Sequence, residues 1–154
     1  VTVVYPYHKK SRLNYIDKST GEILKSGRTV TASDMSDFFI ELYRIKQYLS
    51  NPNLTICIAD IAVENLRYCA KDMKRRKSDR KITVPTSLLQ LTYLEDSDSY
   101  RCFIPEGLPE TFTLKEFKKR MRSGDASIAI RILLYVGVID YAGKLGNEYL
   151  YKIT

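Results

Sequence analysis

The sequence predicts an α+β protein: a small mixed α/β region ordered strand, hairpin, helix, strand, then a C-terminal module of two capped helices and a hairpin. Three observations predict it. Strand-like runs of β-branched and apolar residues open the chain and recur in LTICIADIAV (54–63). Apolar residues return at three- and four-residue steps over 35–49. PEGLPE (105–110), with two prolines and a glycine, separates these from a tail of different style. The expected division is 1–104 for the α/β region, read as the C-terminal part of a larger domain, and 109–154 for the tail.

The elements follow in order. VTVVYPY (1–7) reads as a strand stopped by Pro6. RLNYIDKSTGEILK (12–25) reads as a hairpin, because Leu13, Tyr15, Ile23 and Leu24 flank DKSTG, whose Asp, Ser and Gly suit a turn. Ser33 or Asp34 caps a helix over 35–49, with Met35, Phe38, Phe39, Leu42, Ile45 and Leu49 on one face, and SNPN (50–53) stops it. LTICIADIAV is then a buried strand. ENLRYCAKDMKRRKSDRK (64–81) reads as a helix end running into a basic loop, PTSLLQ (85–90) as a single turn, and 91–104 as two short strands around EDSDS. In the tail, Thr113 and Glu116 have capping-box spacing ahead of Phe117. Asp125 caps a second helix over 126–137 that Gly137 ends. VIDYAGKLGNEYLYKI reads as strand, turn, strand.

Composition narrows the function classes. The 154 residues carry 25 Lys+Arg against 18 Asp+Glu, a net charge of +7. That surplus permits phosphate-rich partners without demanding them. No apolar run approaches the roughly 20 residues that cross a bilayer, and no signal-peptide pattern opens the chain. The first residue is Val1, so the chain reads as a fragment or processed form with residues missing upstream. Cys57, Cys69 and Cys102 have no metal-ligand spacing, and His8 is the one histidine. A zinc site and a Cys–His or Ser–His–Asp centre are therefore not expected. Free thiols fit a reducing cytoplasm, and no cofactor is implied.

Capped basic helix, tight turn, second helix and hairpin, in that order, resemble a winged helix across 109–154. The resemblance implies contact with double-stranded DNA. Lys115, Lys118, Lys119 and Arg122 would neutralise phosphates. Ser123, Asp125, Ser127 and Arg131, at the start of the second helix, would face base edges or phosphate. Lys144 and Asn147, at the hairpin tip, would touch the neighbouring backbone. The second helix is very apolar (Ile128, Ile130, Ile132, Leu133, Leu134), which fits equally a module that binds a protein partner or its own dimer mate. Seven cations crowd 71–81, from Lys71 to Lys81, as a phosphate-binding loop or a solvated excursion.

A metal-dependent nuclease would need an Asp and an E-x-K on neighbouring strands. The one E-x-K, Glu116-Phe-Lys118, falls on a helix, and Asp60 with Glu64 reads as a strand-end carboxylate and its neighbour. No catalytic or metal-ligating residue is assigned, and whether the chain is an enzyme stays open.

VVYPY, IDKSTGEI, ELYRIKQYL, VPTSLL, IPEGLPETFTLKEF and GKLGNEYLY together resemble an uncharacterised bacterial protein family. That resemblance implies a nuclease-like α/β region and a helix-turn-helix-like tail. It also implies Asp in the first strand where this chain has Thr2, which speaks against catalysis. The function expected is DNA binding in regulation or DNA processing. A non-catalytic interaction module is the alternative, and a nuclease with part of its metal site outside this chain is the weaker one.

Overall fold

The computed structural model describes residues 1–71, 80–121 and 125–154. Strands are β1 (Thr2–Asp17), β2 (Ile23–Ser26), β3 (Val30–Thr31), β4 (Thr55–Cys69), β5 (Arg80–Leu94), β6 (Thr111–Thr113), β7 (Ile139–Leu145) and β8 (Glu148–Ile153). Helices are α1 (Ser36–Arg44), α2 (Leu114–Arg120) and α3 (Ala126–Tyr135), with single 3-10 turns at Lys46–Tyr48 and Asp98–Phe103.

This corrects the expected fold class. The described residues are mostly β, 48% strand against 24% helix, in two sheets. It is not a mixed α/β region followed by a winged-helix-like module. The reason is long-range pairing. Residues 64–69, expected in a helix, continue β4, and PTSLLQ, expected as a turn, lies in the middle of β5. Thr83 Oγ1 donates to Asn65 Oδ1 at 2.8 Å and Thr86 Oγ1 to the Ala62 carbonyl at 3.1 Å, which tie β5 to β4. In the tail, the helices have seven and ten residues and share the segment with a three-stranded sheet, β6-β8-β7.

Contacts divide the chain into two interleaved units. The first comprises 1–5, 33–57 and 93–154; the second comprises 6–32 and 58–92. The second is all strand and loop among its described residues. Its sheet is ordered β2-β1-β4-β5, with β3 also on β1. The hairpin read from DKSTG is present: Tyr15 pairs with Lys25, and Gly21, at φ 76°, donates to the Asp17 carbonyl. β1 runs on through Pro6. On this side its partners are β3 at Lys10–Ser11 and β2 at Asn14–Ile16, so the missing Pro6 N–H leaves no bond unmade in those ladders.

The first unit has an aromatic core. Phe38 and Phe39 of α1 lie 5.7 and 5.1 Å from Phe103, ring centre to ring centre, and Tyr5 packs on Phe38 at 5.0 Å. Phe112 stacks on Phe117 at 5.7 Å, and Ile132, Leu133 and Ala129 of α3 are fully buried. The caps expected in the tail are made, whereas α1 starts after Met35 with no side-chain cap and ends at Arg44, short of the expected helix over 35–49 capped by Ser33 or Asp34. Thr113 and Glu116 form a reciprocal capping box on α2, Asp125 caps α3, and Gly137 turns the chain at φ 79°. The three thiols are free, with Cys57 and Cys69 buried. No described helix is long and apolar enough to cross a membrane.

Four carboxylates have pKa values held below their ordinary positions. The Ser19 hydroxyl and N–H lower Asp17, and those of Ser36 lower Asp34. The Thr113 N–H and hydroxyl lower Glu116, and the Ser127 hydroxyl leads the causes at Asp125. A lowered folded-state pKa contributes stability that is present above the unfolded value of 3.8 or 4.5 and is lost as pH falls through the folded one. The thermal midpoint should therefore be flat from about pH 7 to 5 and fall below about pH 4. Asp34→Ala with Asp125→Ala should flatten that acid limb in a melting series across pH.

Candidate nucleic-acid interface

The tail brings part of the expected set together. Phe117 is fully buried, so α2 turns Lys115, Lys118 and Lys119 outward. A cleft of about 470 Å³ lies between α2 and the β7–β8 tip, lined by Lys115, Lys118, Asn147, Glu148 and Tyr149 among others. A second cleft, of about 380 Å³, shares Leu114 and Lys118 with it and reaches Asp125 and Ser127. Lys144 Nζ sits 4.9 Å from the Tyr149 ring centre, beside the first cleft. Gly146, at φ 63°, makes the tight tip that presents Asn147.

Other members are engaged elsewhere. The Ser127 hydroxyl donates to Asp125 at 2.6 Å, so it serves the cap. Arg131 Nη1 reaches the Tyr43 hydroxyl at 3.5 Å, and its guanidinium lies 6.0 Å from that ring. Tyr43 also accepts from Lys46 Nζ at 3.2 Å, and these two cations lower its pKa, Lys46 first. Lys119 is exposed but lines neither cleft. Arg122 and Ser123 lie outside the described residues, as do Lys74, Arg75, Arg76 and Lys77 of the basic run. Glu148 adds a negative charge to the first cleft. Lysines with an asparagine in a groove can hold phosphate oxygens, but with Ser127 and Arg131 occupied little is left to read base edges.

The larger electrostatic feature was missed from sequence. Residues 6–32 and 58–92 carry 14 of the 25 basic residues and 6 of the 18 acidic ones, a net of +8. The other unit carries the remaining 11 and 12, a net of −1. Within the basic unit, His8, Lys10 and Arg12 alternate along β1 and so share a face, all exposed. Arg12 donates to the Thr29 hydroxyl at 3.2 Å, and Lys10 is opposite Thr31. Lys10, Lys25, Arg28, Arg80 and Lys81 have no ion-pair partner among the described residues, and Asp17 is buried. The signal was available as a charge count over 6–32, six basic against two acidic.

Catalytic chemistry finds little to work with. Asp60 and Glu64 are half-buried in mid-strand on β4, not at a strand end as expected. No group of three His, Cys, Asp or Glu able to hold a metal occurs among the described residues. A cleft of about 540 Å³ between the Ser33–Met35 loop and residues 102–106 contains Cys102, whose thiol pKa is raised by burial, the reverse of activation.

Fold and sequence together define a mostly β, basic protein whose positive surplus falls on residues 6–32 and 58–92. The chain belongs to the family described as Domain of unknown function (DUF8091), which matches residues 1–94. No curated protein and no solved structure matches it. The family stretch contains all of β1 to β5, and so the whole basic unit.

Proposed function

We propose that the protein binds double-stranded DNA through the phosphate backbone, in regulation or DNA processing, with the basic sheet as its main contact. The observation that carries this reading is the segregation of charge, +8 on residues 6–32 and 58–92 against −1 on the rest. Cations without acidic neighbours keep their full attraction for a polyanion. The α2–hairpin cleft supplies a smaller set of phosphate contacts.

Fluorescence anisotropy of a labelled duplex, titrated across salt, tests it. Binding should weaken with a logarithmic salt slope of about −4, as for four to five neutralised phosphates, and should vary little with sequence. Absence of binding at low salt sinks the reading. Lys115→Ala with Lys118→Ala should reduce the slope by about 2 for all sequences alike. An unchanged slope would remove the cleft from the interface.

A second reading, a non-catalytic interaction module, is favoured by one observation. Residues 83–91 of β5 are exposed without interruption, on both faces of the strand.

A further inference from the structure

β5 ends the path β2-β1-β4-β5, so one side of its backbone has no partner strand among those described. It is 15 residues long, and its exposed side chains include Val84, Leu88 (59% accessible), Leu89 and Leu91. A long apolar edge is a template for another strand.

The charge pattern along β5 says which strand. Residues 82–94 carry no charge, although 82–92 belong to a unit of net +8. Arg80 and Lys81 stand at one end, and Glu95 and Asp96, both exposed, directly follow the other. Lys81 and Glu95 are each seven positions from Leu88, and Arg80 and Asp96 each eight. The edge is therefore self-complementary about Leu88. An antiparallel copy centred there sets Lys81 opposite Glu95 and Arg80 opposite Asp96, twice over, with Leu88 opposite Leu88 on the two-fold axis. Parallel pairing would instead stack like charges on like. Pro85 removes one donor, which an edge tolerates.

We propose that two copies of this chain pair through β5, antiparallel and centred on Leu88, into one continuous sheet. The contact is isologous and closes on itself. The opposite edge does not extend it, because β2 has four residues and its ladder with β1 is broken by a bulge between Tyr15 and Ile16. Asp96 also accepts from the Ser99 N–H at 2.9 Å, so Glu95 is the freer of the two acidic partners.

Sedimentation equilibrium on the full chain without DNA is the test. A monomer–dimer equilibrium at micromolar concentration is expected. Leu88→Lys puts two like charges on the axis and should weaken the dimer roughly tenfold or more, while circular dichroism and the thermal midpoint report an intact fold. Lys81→Glu and Glu95→Lys should each weaken it, and the two combined should restore it. A monomer at every concentration overturns the proposal. So does a dimer that Leu88→Lys leaves unchanged, or a double charge swap that fails to restore pairing.

Discussion

Phe117→Ala should cost about 3–5 kcal/mol, the usual loss for a fully buried phenylalanine. The ring has no solvent exposure, stacks on Phe112 at 5.7 Å, and Phe112 in turn lies 5.9 Å from Tyr151. These three rings join α2, β6 and β8, so the cavity opens where three elements meet and cannot easily collapse. For a chain of this size the melting midpoint should fall by roughly 6–20 °C. Differential scanning calorimetry checks it, with Lys119→Ala, two residues on and on the exposed face, as a control expected within about 0.5 kcal/mol. A small effect from Phe117→Ala would mean that the tail contributes little to global stability.

The second large effect concerns the basic sheet. Lys10→Glu with Arg12→Glu reverses two exposed charges on one face of β1 and should reduce DNA affinity by about a hundredfold at physiological salt. Both side chains are exposed, and Arg12 gives up only one hydrogen bond, to Thr29, so folding should survive. Anisotropy reads the affinity and circular dichroism the fold. Affinity within a factor of about two of the parent would show that this face does not hold phosphate, and the charge segregation would need another explanation.

How much of this was legible in the sequence divides by range. Local chemistry was. DKSTG made its turn, Thr113 and Glu116 made their capping box, Asp125 capped α3, and Gly137 ended it, each through partners within five residues. What depended on distant partners was not. NLRYC and PTSLLQ have no decisive period of their own, and they are strands because β4 and β5 hydrogen-bond to each other across a stretch of basic sequence. Pro6 reads as a stop because nothing local reveals which ladder its N–H would face. The site divides in the same way. Lys115, Lys118 and Asn147, read from helix and hairpin spacing, line one cleft. The basic sheet is hidden in the chain's total of +7, which sums two units that alternate in sequence.

That alternation bears on where the chain can be cut. The family stretch, 1–94, ends inside the aromatic unit. A fragment of that length would keep Phe38 and Phe39 but lose Phe103, the ring both pack against. The boundary that relatives share by descent is thus not a boundary of independent folding. An excised stretch would present α1 as a bare, sticky helix, and the segment after Leu94 acts as its lining.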